Sequence, residues 1–420
     1  MPGKIDLLVR NIGLLATPLG NEAKGGKKQS NILLIQNAYI AVSDGRIIKV
    51  GIDNEYNKDI SSFHTRVIDA KHSLVTPGLV DAHTHLIFAG WRQKELSLKL
   101  KGYTYLDILK QGGGILSTVQ STRKASLEEL VENGSHALDI MLAHGTTTCE
   151  VKSGYGLTVE DELKSLQAIR ELHKSQNVEL AATFMGAHAI PEEFKNNKKG
   201  YIELICTQMI PQVAKQGIAE FCDVFCEDSV FDLAESRQIL KCGKSYGLIP
   251  KIHADEITSM GGARIAGEVA AISAEHLIHA GEEELEAMSH SNTIAVLLPG
   301  TSLYLGEDFA QAMRMKELNI PVAIATDFNP GSCPTESLQL PMTLACLKYK
   351  LSPEEVLTAV TLNAAAAVAR AEQVGTIEKG KQADFVIWNA PDLEFLFYHY
   401  GVNLVNQVIK KGRIVVDRSC

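Results

Sequence analysis

Basic residues are outnumbered in this chain, and it has neither long apolar runs nor paired cysteines. Lys and Arg number 41 against 50 Asp and Glu, which gives a net charge of −9. Such a chain has no general attraction for phosphate backbones or anionic lipid, so nucleic acid and membrane surfaces are not expected partners. No apolar stretch reaches the ~20 residues of a membrane-spanning helix. An anionic substrate would need a local cation for binding.

The eight cysteines are scattered, with no spacing typical of a zinc ribbon or a secreted disulfide scaffold. Free thiols in a reducing compartment fit this pattern best. Cys222 and Cys226 are interpreted as buried core thiols rather than a metal pair. The first residues lack a signal-peptide cleavage pattern. The sequence therefore predicts a cytoplasmic protein.

Both ends of the chain have β-rich texture, unlike the middle. Residues 32–50 form two β-rich runs joined by Asp44-Gly45, a strong hairpin signal. Strand and Gly-turn character returns in ADFVIWNAP and NQVIKKGRIVVD. Neither end is long enough to bury a good core alone. We therefore predict one small β-sandwich domain assembled from residues 1–72 and 372–420, with residues 73–371 inserted between its two parts.

The inserted segment alternates short apolar runs with helical patterns. Eight runs are candidate strands: LVTPGLVDAHTHL, TTTCEV, LAATFMGAH, CDVFCED, LIPKIHAD, AAISAEHL, TIAVLLPG and PVAIATDF. Helical patterns lie between them, and a helix from Pro353 to Arg370 closes the series. Alternation of this kind predicts a parallel sheet with helices outside it, and eight units favour a closed (β/α)8 TIM-like barrel. The fold class is therefore α/β.

Most of these runs end on a polar or ionisable residue, which is where barrel enzymes place their chemistry. His83 and His85 are two residues apart, so both imidazoles project from the same side of a strand. His253 and Asp327 end later runs of the same series, and barrel closure would bring all four to one rim. Histidines that merely fill the core are the alternative interpretation. Three histidines and a carboxylate suit Zn²⁺ or iron and leave a position open for water.

Several motifs resemble the amidohydrolase superfamily of metal-dependent hydrolases. They are VTPGLVDAHTHL, HADE at 253–256, the strand-end His276, ATDFNPG at 325–331 and GTIEKGKQADFVIW. Further strings resemble one family within it, which hydrolyses 4-imidazolone-5-propanoate in histidine degradation: YLDILKQGGGILSTV, EVKSGYGL, TFMGAHAIP, AVLLPGTSLYLG and ATDFNPGSCPTE. The match covers nearly the whole chain.

The resemblance implies a role for individual residues. The implied metal ligands are His83, His85, His253 and Asp327, and the implied catalytic residues are Glu256, His276 and Asp327. The implied substrate-binding residues are Arg92, Tyr105, Tyr155, His188, Glu256, Asn329, Gly331 and Ser332. Arg92, with Tyr155 and His188, would bind the substrate carboxylate, because a guanidinium matches a carboxylate bidentately. It would be the local cation that the net charge requires.

A single divalent metal, Zn²⁺ or Fe²⁺/Fe³⁺, is implied for each subunit. Many superfamily members bind two metals through a carboxylated lysine on the fourth strand, but that strand ends here in Cys226 and Glu227, and the strand-end Lys152 follows the second run. The implied reaction is hydrolysis of the ring C–N bond by water that the metal activates. The expected product is N-formimidoyl-L-glutamate.

Several alternatives stay open at this stage. Glu256 could form a structural salt bridge, and His276 could be a fourth histidine ligand. A deaminase of cytosine or guanine would share the same motifs but would need no carboxylate clamp. A non-catalytic assembly protein of this superfamily would have lost its metal ligands. A homodimer is the expected assembly.

Overall fold

A computed structural model describes residues 5–55, 65–103 and 113–418 of the chain. Tyr105, one of the expected substrate contacts, lies outside these ranges. Within them, the helices are all too short or too polar to cross a membrane. The strands in chain order are β1 (Leu7–Thr17), β2 (Leu33–Ser43), β3 (Arg46–Ile52), β4 (Arg66–Asp69), β5 (Leu74–Pro77), β6 (Leu79–Asp81), β7 (Thr146–Lys152), β8 (Glu179–Ala187), β9 (Phe221–Cys226), β10 (Ile249–Ala254), β11 (Ser273–His276), β12 (Ile294–Leu297), β13 (Val322–Ile324), β14 (Phe385–Trp388), β15 (Val405–Lys410) and β16 (Arg413–Asp417).

Helices separate the strands of the inserted segment, and one further helix lies between β14 and β15. In chain order they are α1 (Gln93–Leu100), α2 (Ile115–Lys124), α3 (Leu127–Ala143), α4 (Val159–Ser175), α5 (Lys198–Leu204), α6 (Ile210–Gln216), α7 (Leu233–Ser245), α8 (Gly262–Val269), α9 (Glu282–Ser289), α10 (Pro299–Leu305), α11 (Ala312–Glu317), α12 (Gln339–Tyr349), α13 (Pro353–Ala359), α14 (Leu362–Ala367) and α15 (Leu393–Tyr398). A π-helical turn at Ile205–Met209 joins α5 to α6.

Strands β6 to β13 form the predicted barrel. All seven neighbouring pairs are parallel and follow the order of the chain. The first and last strands meet through hydrogen bonds from the His85 amide to the Phe328 carbonyl (2.9 Å) and from the Asp327 amide to the His83 carbonyl (3.0 Å). Buried Asp81 reinforces this closure, since it accepts from the amide and hydroxyl of Thr326. The (β/α)8 prediction is confirmed.

A second sheet contains strands from both ends of the chain, as the sequence predicts. Its order is β16-β15-β14-β5-β1-β2-β3, and β4 also pairs with β1. The β2–β3 hairpin turns at Asp44 and Gly45, with φ of 49° and 71°. Side chains from both termini share one apolar core that includes Leu7, Ile40, Phe385 and Ile409. The small β domain is therefore built jointly by the two termini, while its limits at residues 72 and 371 stay a prediction.

The first of the eight runs contributes one strand to each of the two sheets. Its first part, β5, lies between β1 and β14 in the small sheet, and its second part, β6, begins the barrel. Gly78 separates them, and a Cβ there would lie 2.3 Å from the Thr147 hydroxyl oxygen. The chain can pass this close to β7 because glycine has no side chain.

The closing helix differs from its prediction. The sequence predicts a continuous helix from Pro353 to Arg370, whereas the structure has two short helices, α13 and α14. Thr361 lies between the two helices and has a non-helical backbone, with φ −129° and ψ −87°. Its hydroxyl donates to the Leu357 carbonyl (2.5 Å). A threonine hydroxyl competes in this way with helical backbone bonding. The prediction of one helix is wrong.

Candidate active site

The four expected metal ligands meet at the carboxyl-terminal rim of the barrel. His83 and His85 follow β6, His253 lies on β10, and Asp327 follows β13. Asp327 Oδ1 is 3.5 Å from the Nε2 atoms of both His83 and His85. The Nε2 atoms of His85 and His253 are 3.2 Å apart. All four residues are buried, with at most 3% of their surface exposed.

This arrangement fits a metal ion in two respects. Two donors about 2.0–2.2 Å from a tetrahedral Zn²⁺ lie about 3.3–3.6 Å from each other, which is close to the separations observed. Both ring nitrogens of buried His83 also lack a hydrogen-bond partner among the described residues. A buried polar atom left unpaired is costly, so a ligand to these nitrogens would remove a penalty.

A fourth strand end, that of β11, brings His276 into the same cluster. Its ring centroid is 5.3 Å from that of His253 and 5.7 Å from that of His83. Its Nε2 atom is 3.5 Å from Glu256 Oε2. Donor atoms of His83, His253 and His276 also lie close enough together to hold an ion. The structure therefore brings His276 and Glu256 together, and the four-histidine alternative stays open.

Burial shifts the protonation of several groups at this rim. Burial and the neighbouring Asp327 raise the pKa of Glu256 to about 8, and burial raises the pKa of Asp327 to about 6. Burial and the adjacent histidines lower the pKa of His276 well below its ordinary value. Burial also lowers the pKa of His83 and His85, whereas the Asp223 carboxylate outweighs burial and raises the pKa of His253. Neutral imidazoles are the form that binds a metal, so burial favours coordination by His83 and His85.

The backbone is strained where these side chains leave the strands. His276 and Leu277 have φ of 68° and 57°, and Asp327 has φ of 58°. Left-handed backbone at non-glycine residues costs of order 1–3 kcal/mol each and clusters at functional sites. The neighbouring interactions that hold Asp327 include its hydrogen bond from the Thr301 hydroxyl (2.6 Å).

Two acidic residues hold the loop that carries Glu256. Asp255 accepts four backbone N–H groups, from Met260 to Ala263, at 2.8–3.1 Å. Glu227 accepts from the amides of Ile257 and Thr258. Glu227, a strand-end residue in the sequence, therefore has a structural role here. Together the two carboxylates fix the direction in which Glu256 points.

The expected carboxylate clamp, Arg92, is partly buried and packs against a glycine. Arg92 precedes α1, and its Nε and Nη2 atoms donate to Glu95 at 3.0 and 2.9 Å. A Cβ on Gly331 would lie only 2.0 Å from Arg92 Nη1. Glu95 also accepts from the Gly114 amide (2.7 Å). The guanidinium is thus held on one edge by Glu95 and rests on the backbone of Gly331.

Gly331 belongs to a loop that is tied by hydrogen bonds to Asp327, one of the expected metal ligands. Asn329 donates through Nδ2 to the Asp327 carbonyl (2.7 Å) and accepts through Oδ1 from the amides of Gly331 and Ser332 (both 2.8 Å). Asn329 therefore sets the shape of this loop, and Gly331 makes room for Arg92.

Tyr155 and His188 lie on the other side of the expected metal ligands. The His188 ring stacks on His85 with centroids 4.7 Å apart, and the Tyr155 ring is 5.1 Å from His188. His188 Nδ1 lies 3.0 Å from the Gly154 carbonyl, so this nitrogen carries a proton. Burial, with His253 nearby, lowers the pKa of His188 to about 3. Phe88 connects this side of the pocket to the segment that carries Arg92. Its ring centroid is 6.4 Å from that of Tyr155 and 5.1 Å from that of Trp91.

A buried ionic cluster lies beneath the rim, and the sequence analysis did not find it. It consists of Glu150, Lys152, Asp223, Lys251 and Glu275, all without solvent exposure. Lys152 Nζ is 2.8 Å from both Glu150 and Asp223. Lys251 Nζ is 3.1 Å from Glu150 and 3.5 Å from Glu275. Charged residues at alternate positions of buried strands, such as Lys251 and His253, are the signal that could have identified it.

Sequence comparison places the chain among known hydrolases. A profile of the amidohydrolase family matches residues 74–415. An imidazolonepropionase from Alkaliphilus metalliredigens is 50% identical over 419 residues, with 99% of each chain covered. An imidazolonepropionase from Bacillus velezensis is 48% identical over 421 residues and covers 100% of this chain and 99% of its own.

Solved structures share the fold at low sequence identity. An adenosine deaminase from Xanthomonas campestris with bound zinc has a TM-score of 0.71 at 18% identity, covering 99% of this chain and 94% of its own. A 5-methylcytosine deaminase from Klebsiella pneumoniae has a TM-score of 0.72 at 15% identity, covering 99% and 97%. At this identity the likeness concerns the fold alone. The profile match and the relatives at about half identity show that the chain belongs to the metal-dependent amidohydrolase family and, within it, groups with the imidazolonepropionases.

Proposed function

We propose that this protein hydrolyses the ring C–N bond of 4-imidazolone-5-propanoate and releases N-formimidoyl-L-glutamate. The relatives named imidazolonepropionase, about half identical over the full chain, support this activity. The observation that carries it is the partly buried guanidinium of Arg92: Glu95 accepts from its Nε and Nη2 atoms, and its Nη1 atom lies beside Gly331. A carboxylate-bearing substrate needs such a cation in a protein of net charge −9.

The proposed metal ligands are His83, His85, His253 and Asp327, which would hold one Zn²⁺ or iron ion. When bound, such an ion supplies Lewis-acid activation of water and of the ring carbonyl. Lys152, which would have to be carboxylated to bridge two metals, is instead paired with Glu150 and Asp223. This pairing supports a mononuclear site.

The substrate would lie between the two sides of the pocket. Its propanoate carboxylate would accept from Arg92, and Asn329, Gly331 and Ser332 would form the adjoining wall. Tyr155 and His188 would complete the carboxylate site, and Tyr105 would contribute to the rest of the pocket. A carboxylate beside His188 would raise the pKa of that imidazole and favour its charged form.

The reaction is an addition of water to the ring carbonyl followed by cleavage of the C–N bond. Asp327 and His276 would accept the proton from the attacking water, since both lie at the rim with the proposed ligands. Glu256 would bind the ring nitrogens and deliver a proton to the departing nitrogen. A raised pKa suits a carboxyl group for this second step, because it can carry a proton near neutral pH.

Turnover assays would separate this activity from its rival. We expect the purified protein to hydrolyse 4-imidazolone-5-propanoate and to leave cytosine and guanine unchanged. Release of ammonia from either base, without opening of the imidazolone, would instead support a deaminase. A purified protein that contains no metal and is inactive on all three compounds would support an assembly protein.

Replacing Arg92 tests the clamp directly. Arg92→Ala should lower kcat/KM by roughly 30-fold to several thousand-fold, because loss of a buried charged partner costs about 2–5 kcal/mol. Arg92→Lys should retain more activity, since it keeps the charge but loses the planar fork. Metal content should match wild type in both variants. Unchanged kinetics in Arg92→Ala would exclude a carboxylate-binding role.

A cytoplasmic location and a homodimeric assembly complete the proposal. The scattered cysteines, which fit free thiols in a reducing compartment, support the location. The mass of the particle in solution, measured by light scattering, would test the homodimer.

A further inference from the structure

The buried ionic cluster touches the proposed metal site at one point, the carboxylate of Asp223. This residue lies on β9, next to β10, and its side chain has no solvent exposure. Its Oδ2 atom is 3.1 Å from His253 Nδ1, within hydrogen-bond distance. On the opposite side of the same ring, His253 Nε2 faces His85 Nε2 at 3.2 Å. Asp223 and the proposed ligands therefore lie at opposite nitrogens of one imidazole.

This placement decides which nitrogen of His253 carries its proton. A neutral imidazole has one N–H and one lone pair, and only the lone pair can bind a metal. A carboxylate at Nδ1 favours the tautomer with the proton on that atom, which leaves the Nε2 lone pair facing the other ligands.

Asp223 is itself held firmly in place. Its Oδ1 atom accepts from the Val224 amide (2.7 Å), and its Oδ2 atom accepts from Lys152 Nζ (2.8 Å). Lys152 is fixed in turn by Glu150 (2.8 Å). Three donors therefore converge on two carboxylate oxygens, and the carboxylate cannot rotate without losing at least one of them.

We propose that Asp223 is a positioning residue for His253: its carboxylate accepts the Nδ1 proton, fixes the tautomer and ring plane, and thereby raises the affinity of the rim for its metal. This inference rests on the proposed function only in taking His253 as a ligand. Outer partners of metal-binding histidines commonly change metal affinity by about 10- to 100-fold. Asp223 contacts no reacting atom in this scheme.

The isosteric variant Asp223→Asn tests the proposal. An amide has a single acceptor oxygen and cannot serve the three donors that Asp223 serves. We expect the Zn²⁺ dissociation constant, measured by competition with a chromophoric chelator on the full chain, to rise about 10- to 100-fold. The matched control is Glu150→Gln, which alters the same buried cluster and the same Lys152 contact but does not touch His253. Its dissociation constant should stay within a few-fold of wild type.

A measurement on the unmutated protein keeps the test decisive if Asp223→Asn does not fold. Long-range ¹⁵N–¹H spectra of metal-free protein labelled in histidine report the tautomer of each ring, and the spectrum of His253→Gln identifies the His253 signals. At a pH where this imidazole is neutral, we expect a protonated Nδ1 and an unprotonated Nε2. The reverse tautomer would overturn the proposal, as would wild-type Zn²⁺ affinity in Asp223→Asn or an equal loss in Glu150→Gln. Wild-type affinity in His253→Ala would refute the ligand set itself, which is a different failure.

Discussion

Adding one methyl group at Gly331 should displace the carboxylate clamp without removing its charge. The Cβ atom of an alanine there would lie 2.0 Å from Arg92 Nη1 and 2.6 Å from Arg92 Cζ. An ordinary van der Waals separation is about 3.5 Å, so the guanidinium must move by more than about 1 Å. Gly331 does not have a left-handed φ, so the backbone itself accepts alanine.

The size of the effect follows from this displacement. A misplacement of about 1 Å in a substrate-positioning group can cost about 100-fold in rate. We therefore expect Gly331→Ala to lower kcat/KM for 4-imidazolone-5-propanoate by about 100-fold. Metal content should be unchanged, since Gly331 lies outside the proposed ligand set. Gly267→Ala is the matched control, because a Cβ at that glycine would meet no atom closer than 3.6 Å.

Comparison with a neutral substrate completes this experiment. An imidazolone whose side chain lacks the carboxylate never uses Arg92, so Gly331→Ala should change its kcat/KM far less. Equal losses for the charged and neutral compounds would show that the methyl group disturbs the ring site instead. Wild-type kinetics with the charged substrate would refute the contact between Arg92 and the carboxylate.

Three further predictions concern the rim. His253→Ala should remove most of the bound metal and most of the activity, because one ligand in a mononuclear site is lost; metal analysis of the purified variant checks this. Glu256→Gln should keep a full equivalent of metal while kcat falls strongly, as steady-state kinetics on the metal-loaded variant would show. In metal-free protein, the raised pKa of Glu256 means that the folded state binds this proton more tightly than the unfolded chain. The stabilising contribution of this proton is therefore present below about pH 4.5 and is lost as the pH rises through about 8. Denaturant unfolding should show that the free energy of unfolding falls more steeply between pH 5 and 8 in wild type than in Glu256→Gln.

Most of the fold can be predicted because apolar runs and helical patterns alternate regularly along the sequence. Each of the eight apolar runs contains one barrel strand, and Asp44-Gly45 marks the observed hairpin. The split of the first run at Gly78 was not predictable, since it depends on contact with Thr147, far along the chain. The break at Thr361 was missed because an alanine-rich stretch follows it, and local helix propensity conceals a tertiary constraint.

The sequence predicts only those residues of the candidate site that lie at the carboxyl ends of strands. His83, His253 and Asp327 have that position, and the structure brings them together. Lys251 and Asp223 lie inside strands, where a charged side chain is favourable only if partners from other strands neutralise it. Those partners are not adjacent in the sequence. The i, i+3 spacing of Arg92 and Glu95 is consistent with their pairing, whereas the contact of Arg92 with Gly331 depends on packing between distant segments of the chain.

The position of β5 between β1 and β14 bears on how the molecule is made. During synthesis, the amino-terminal strands leave the ribosome first, at about 5–20 residues per second. The edge of β5 that later pairs with β14 stays open until the whole barrel segment has followed. An open strand edge invites pairing with other chains. Nascent chains stalled before Phe385 should therefore be prone to aggregation and dependent on chaperones, and the small sheet should be the last part of the protein to become resistant to proteolysis.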